Sequence, residues 1–313
     1  MAPLVLTVDP WFEQAELAEL LPEMRVLQRA LPVADPACEA VVTSIGVPFG
    51  QRDADSLPAL RVVVTASVGY DHLDVDGLAE RGIASFCVPG YCSNEVADHA
   101  LASVLALWRG LPRLDAARRA GVWDQVSTAG LRRIAGSTLG VVGFGRIGRL
   151  LAERARALEI DVLAHDPLLD DAVIRGAGAT PASLDDLLRA SHAVSLHLPL
   201  VAATEQLIGA RELALLPRWA VLVNVSRAGL VDLSALAHGL QAGRPAAAAF
   251  DVWESEPPRP GDPRLDAPNL LLTPHVAWAS EQSDTRLLAS VAEAVRAGLE
   301  GRPHEGRLTP LAV

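Results

Sequence analysis

With 313 residues, half of them hydrophobic, the chain is long enough to bury two cores and too apolar for disorder. Its net charge of −11 excludes a broad face for nucleic acid or anionic membrane, and no metal site is expected because the three cysteines lack ligand spacing. No lysine occurs, so Schiff-base, pyridoxal-phosphate and P-loop chemistry are excluded as well.

No apolar run approaches the roughly 18 residues of a membrane span. The opening MAPLVLTVDPWFEQ lacks the basic start and long apolar stretch of a secretory signal. A soluble cytoplasmic protein with reduced thiols at Cys38, Cys87 and Cys92 is therefore expected.

Taken in order, LVLTV (4–8), MRVLQ (24–28), AVVTS (40–44), RVVVTAS (61–67) and IASFCV (83–88) read as strands. Their continuous apolar character points to a parallel sheet covered on both faces. Helical spacing lies between them over 13–21 and 75–82, the second ending at Gly82. A long helix is predicted over 93–111, with Ser93 as its cap. Residues 112–136 then form a polar, arginine-rich connection containing Trp123, which is read as a dimer arm.

A second alternation starts at Leu139, with strands over 139–143, 161–165, 192–198, 220–226, 247–253 and 269–273 and helices between them. That pattern predicts a doubly wound parallel sheet. A last helix over 285–301 is expected to return to the first domain. The fold class is thus α/β in two domains: a Rossmann-type dinucleotide-binding domain over 95–282 and a flavodoxin-like parallel α/β substrate domain over 1–94 and 283–313.

GFGRIG (143–148) ends one apolar strand and opens a helix, the context that gives a G-x-G-x-x-G its meaning. Gly143 suits a tight turn, Gly145 lets the backbone approach a pyrophosphate, and Gly148 lets helix and strand pack closely. The helix end, at Arg146 and Ile147, offers amides and partial positive charge to the phosphates. Asp166 ends the next strand, 23 residues after Gly143, close to the spacing of a carboxylate that grips the ribose diol. A carboxylate there repels a 2′-phosphate, so NAD is expected over NADP.

Three chemical side chains follow three other predicted strands: Arg227, Glu256 and His275. Ligands of open α/β sheets bind at the carboxyl ends of strands, so three loops can converge on one site. Reducing a 2-oxo acid needs a hydride, a proton and a clamp for the carboxylate. His275 suits the proton, Glu256 its charged partner, and Arg227 offers a planar fork to the carboxylate. The other seven of the eight histidines fall in helices, strands or tails without such partners.

GFGRIG, NVSRAGLVD, DVWESEP and TPH, in that order and spacing, resemble the D-isomer-specific 2-hydroxyacid dehydrogenase family. The resemblance covers about residues 59–302. It implies Arg227, Glu256 and His275 as the catalytic set, with Arg227 and His275 also touching cofactor and substrate. It implies backbone contacts from Val68 and Gly69 to the substrate carboxylate, and Asp251 beside the nicotinamide amide. His197, Pro199, Thr204, Val225 and Ser226 are implied to line the cofactor, and a homodimer is implied.

PGYCSNEVADHAL and TPHVAWASEQ are similar to the subgroup that holds C-terminal-binding protein and phosphoglycerate-dehydrogenase-like enzymes, which puts Trp278 beside the substrate. Ala228 replaces the usual Gly and Cys87 the usual Asn. The expected activity is NAD-dependent interconversion of a small 2-oxo acid and its D-2-hydroxy acid. The alternatives are an NAD-responsive dimeric scaffold with little turnover, and oxidation of phosphite or formate on the same fold. Arg52, Tyr70 and Trp278 leave the substrate's side group open, either a second anion or an aromatic ring.

Overall fold

The computed structural model describes residues 2–10, 14–123 and 130–309. It divides into two compact units, Met1–Cys92 with Ala279–Val313, and Ser93–Trp278.

In the first unit, β1 (Leu4–Thr7), α1 (Gln14–Leu20), β2 (Arg25–Gln28), β3 (Cys38–Thr43), α2 (Gln51–Ala54), β4 (Val62–Thr65), α3 (Val75–Glu80) and β5 (Ala84–Phe86) follow one another. The strands are parallel in the order β2-β1-β3-β4-β5, the flavodoxin-like arrangement. The residues of β1 and β4 are buried throughout, as strands covered on both faces must be. Asp74 caps α3, and Gly82 (φ +73°) turns the chain out of it in the left-handed region. Glu13, expected to open the first helix, lies outside the described residues.

The second unit begins with α4 (Ser93–Trp108) and α5 (Leu111–Arg119). Ser93 is the first helical residue of α4. Gly110, at φ +62°, breaks the long helix expected from the sequence, and α5 starts at Leu111 with Pro112 in its first turn. Residues 112–119 of the expected arm are therefore helical; residues 124–129 of it lie outside the described residues.

Then come β6 (Thr138–Val142), α6 (Arg146–Ala157), β7 (Asp161–His165), α7 (Asp171–Gly176), β8 (Thr180–Pro181), α8 (Leu184–Ala190), β9 (Ala193–Leu196), α9 (Ala210–Leu215), β10 (Val221–Asn224), α10 (Leu233–Gln241), β11 (Ala247–Phe250) and β12 (Leu270–Leu272). These seven strands are parallel in the order β12-β11-β10-β9-β6-β7-β8. The chain runs outward from β6 through β7 to β8, returns beside β6 as β9, and runs outward again. The crevice between β6 and β9 is thus the topological switch point, where such sheets take dinucleotides.

Helix α11 (Glu281–Glu300) opens on a Ser280 cap and belongs to the first unit, where Gly298 fits against Val62 and Phe86. Among the described residues no helix is long and apolar enough to cross a membrane, and no cluster of three His, Cys, Asp or Glu could hold a metal. All three cysteines are buried, and none is in a disulfide.

Candidate active site

The glycine loop leaves β6 at the switch point. Gly143 has φ +90°, and a Cβ there would meet the His197 carbonyl oxygen at 2.5 Å. A Cβ on Gly148 would meet the Gly143 carbonyl oxygen at 2.3 Å, so this glycine is demanded by helix–strand packing. Gly145 differs. A Cβ there would meet no protein atom within 4 Å, and its φ of −74° suits any residue.

The protein itself gives no reason for glycine at 145. A ligand that approaches the backbone closely does, and a pyrophosphate fits. The first amide to bond back in α6 is that of Arg149, to the Gly145 carbonyl at 3.1 Å, so the earlier amides, through Arg146 and Ile147, face out of the helix end.

Asp166 follows β7 and braces this loop. Its Oδ2 accepts the Phe144 N–H at 2.9 Å, and its Oδ1 accepts the Leu168 N–H at 3.0 Å. Across the crevice His197 follows β9. Its ring Nε2 is 2.9 Å from Ser195 Oγ, and burial pushes its pKa down to about 4, so the ring is neutral at physiological pH. Its Nδ1 is buried with no partner among the described residues, a donor or acceptor left for a ligand. Thr204 spends its hydroxyl on the turn after β9, donating to the Pro199 carbonyl at 2.7 Å and accepting the Val201 N–H at 2.9 Å.

Arg227 lies just past β10, and its loop is folded by Asn224. The buried Asn224 amide donates to the Arg227 carbonyl at 2.8 Å and accepts the Ser226 N–H at 3.0 Å, while Ser226 Oγ donates to the Leu196 carbonyl at 2.8 Å. Val225, between them, is buried. The half-buried Arg227 guanidinium donates through Nη1 to the Ser226 carbonyl at 3.0 Å.

Glu256 and His275 meet directly: His275 Nδ1 is 2.6 Å from Glu256 Oε2, while Glu256 Oε1 accepts the Trp253 N–H at 2.9 Å. Burial acts to raise the Glu256 pKa. The His275 hydrogen bond, the Trp253 amide and the charges of His275 and Arg227 outweigh it, so the carboxyl titrates below the usual range. Arg227 lies near enough for its charge to act on Glu256. Because an ionised carboxylate only accepts, Nδ1 of His275 carries a proton toward Glu256, which leaves Nε2 outside this bond.

His275 has φ +54°, rare for a residue with a Cβ. Asp251, at the end of β11, holds it there. Its carbonyl accepts the His275 N–H at 2.7 Å, Oδ1 accepts the Thr273 hydroxyl at 2.5 Å and the Val276 N–H at 2.9 Å, and Oδ2 accepts the Ala277 N–H at 2.8 Å. The Asp251 side chain is 0 % exposed, so this carboxylate is committed to the His275 loop before any ligand arrives. Trp278 likewise braces the loop, its indole N–H donating to the His275 carbonyl at 3.0 Å. His99 also reaches this loop, its Nε2 lying 3.1 Å from Thr273 Oγ1.

Val68 and Gly69 belong to the first unit, in the loop after β4. Ser67 Oγ donates to the Gly69 carbonyl at 2.6 Å, and the Val68 and Gly69 amides have no protein acceptor among the described residues. Arg52 and Tyr70 are exposed in the same unit.

A glycine loop at the switch point with a histidine–carboxylate pair and an arginine in one unit is specific enough to compare with known proteins. Residues 101–277, more than half of the chain, match the model for "D-isomer specific 2-hydroxyacid dehydrogenase, NAD binding domain". The chain belongs to the D-isomer-specific 2-hydroxyacid dehydrogenase family.

Relatives within it include a D-3-phosphoglycerate dehydrogenase of Archaeoglobus fulgidus, 33 % identical over 86 % of this chain and 51 % of the relative. Another, of Mycobacterium bovis, is 36 % identical over 90 % of this chain and 52 % of the relative. This chain thus spans about half the length of the curated relatives it matches. Among solved structures, D-lactate dehydrogenase from Aquifex aeolicus complexed with NAD and lactic acid superposes with a TM-score of 0.89 at 25 % identity, covering 99 % of this chain and 100 % of that one. The family is NAD-binding, in keeping with the space kept at Gly145 and the outward amides of α6.

Proposed function

We propose that this chain interconverts a small 2-oxo acid and its D-2-hydroxy acid with NAD(H). One observation carries the reading: a 2.6 Å His275–Glu256 pair that also feels the charge of Arg227, in the unit that bears the glycine loop. The bound nicotinamide supplies the hydride in reduction and accepts it in oxidation. Gly143, Gly145, Gly148 and the first amides of α6 hold its pyrophosphate, and Asp166 takes the ribose diol and disfavours a 2′-phosphate.

In reduction, His275 Nε2 gives a proton to the carbonyl oxygen. Glu256 keeps the other proton on Nδ1 and offsets the imidazolium charge. Arg227 grips the substrate carboxylate with its planar fork, and its charge polarises the ketone. The amides of Val68 and Gly69 are proposed as further donors to that carboxylate, and Trp278 as an apolar neighbour of the substrate. Backbone at Val225 and Ser226, with His197, Pro199 and Thr204, lines the cofactor. Asp251 acts first through the His275 loop.

The relatives' names put 3-phosphohydroxypyruvate and pyruvate at the head of a substrate panel. Oxidation of NADH by at least one 2-oxo acid, lost in His275→Ala, is the expected result. Tight NADH binding with no turnover across the panel would refute the enzyme and favour the scaffold. A cytoplasmic homodimer is proposed as well, supported by exposed Leu111, Val122 and Trp123 around α5; light scattering that returns a monomer would refute it.

A further inference from the structure

His99 takes no part in the reaction proposed above, yet its one hydrogen-bonded ring atom is spent on the loop that carries His275. Counting hydrogens fixes the direction of the contact. Thr273 has a single hydroxyl hydrogen, and it goes to Asp251 Oδ1 at 2.5 Å. Toward His99 the Thr273 oxygen can therefore only accept, and the imidazole donates from Nε2 across 3.1 Å. The same Nε2 lies 3.9 Å from Asp251 Oδ1.

Thr273 and Asp251 are the two groups on which the His275 turn is built. Asp251 takes the amides of His275, Val276 and Ala277, and His275 itself has φ +54°. A left-handed residue with a side chain persists only where its surroundings over-determine it. Helix α4 does not need the contact for its own anchorage, because Trp108 Nε1 donates to the His192 carbonyl at 3.1 Å and Asp98 pairs with Arg154 at 2.6 Å.

We infer that His99 is a positioning residue for His275, acting through Thr273 and Asp251. The inference rests on the reading of His275 as proton donor. Without the His99 donor the Thr273 oxygen loses its fixed orientation. The Asp251 carboxylate then loses the hydroxyl that sets its rotation, and the turn that aims the His275 ring toward Glu256 loosens. A misplacement of about 1 Å at a reacting group costs on the order of a hundredfold in rate.

The test uses the full chain with NADH and whichever 2-oxo acid it accepts best, and histidine-labelled protein for NMR. The second readout is the downfield proton of His275 Nδ1 in its short bond to Glu256. His99→Leu is expected to lower kcat about 10- to 100-fold with the KM for NADH unchanged, and to broaden or shift that proton. His99→Gln, which returns an N–H near the same place, recovers most of both. Thr273→Val alone matches His99→Leu, and the double variant is no worse than either single one.

A His99→Leu protein with parental kcat and an unmoved resonance overturns the inference, as does a double variant whose losses multiply. Should His99→Leu fail to fold, the other two decide. His99→Gln near the parent with Thr273→Val impaired supports the inference, and any other pairing overturns it. A parent that turns over no 2-oxo acid, but whose downfield proton responds as described, sinks the proposed reaction and leaves the positioning role standing.

Discussion

Glu256→Gln is the substitution that most directly weighs the proposed proton donor. The carboxylate has two oxygens and uses both: Oε1 on the Trp253 amide at 2.9 Å, and Oε2 on His275 Nδ1 at 2.6 Å. Glutamine offers one oxygen, so either His275 or the Trp253 amide is left facing an NH2 group. The charge is lost too. Replacing a charge-assisted hydrogen bond by a neutral one costs roughly 1 kcal/mol, and a stranded donor adds about 1–3 kcal/mol when fully buried.

With side-chain exposures of 35 % for Glu256 and 22 % for His275, water compensates part of the second cost. A total of about 2–3 kcal/mol remains, which corresponds to roughly 30- to 150-fold in kcat. Nothing in the glycine loop changes, so NADH affinity should hold. The assay is steady-state NADH oxidation with a saturating 2-oxo acid, beside NADH fluorescence titration. A Glu256→Gln enzyme within twofold of the parent kcat would refute the reasoning.

The pH dependence has a definite sign. The folded carboxyl titrates below its unfolded value, so the pair stabilises the fold fully above about pH 4.3, and that stability is lost as pH falls through the folded value. The part of the Tm gap between parent and variant that comes from this carboxyl should therefore close as pH falls below about 4.3.

The glycines of the cofactor loop should separate cleanly. Gly145→Ala meets no protein atom and should keep its Tm while NADH binding weakens at least tenfold; Gly148→Ala drives a Cβ to 2.3 Å from a backbone oxygen and should lower the Tm by several degrees, both read from melts and titrations. Arg227→Lys keeps the charge and loses the fork, so kcat/KM for the 2-oxo acid should fall roughly 10- to 100-fold with NADH affinity unmoved; equal values would remove Arg227 from the substrate. Asp166→Asn retains an acceptor for the Phe144 amide but removes the charge, and the NADPH-to-NADH preference should rise about tenfold in paired kcat/KM measurements. A parent that already prefers NADPH would count against the ribose assignment.

Much of this arrangement was legible because its signals are local. Strands covered on both faces write themselves as unbroken apolar runs, such as VVVT in β4 and VLVN in β10, and these lie where the sequence reading put them. Arg227, Glu256 and His275 stand out as candidates for a related reason: each follows a strand that is easy to see. Helix α5 was read as an irregular connection because none of its residues is buried; a helix without a core-facing stripe leaves no 3.6-residue period to detect. The short α7 and α9 and the two-residue β8 fell below the length at which a period can be counted. The link from His99 to Thr273 spans 174 residues of sequence, and no window sees it.

Three acids stand at or just beyond the ends of strands in the second unit, and the way each spends its oxygens divides their work. Asp166 and Asp251 put both oxygens on loop groups, including backbone amides of the loop after a different strand, which makes each a cross-link between loops. Glu256 puts one oxygen on an amide and keeps the other for an imidazole. A carboxylate tied at both oxygens has little left with which to follow a change of charge in a reacting group. One tied at a single oxygen is held in place and can still respond to a proton arriving at or leaving His275 Nε2. In the proposed reaction, therefore, it is the third acid whose charge answers the proton on His275, while the first two hold their loops.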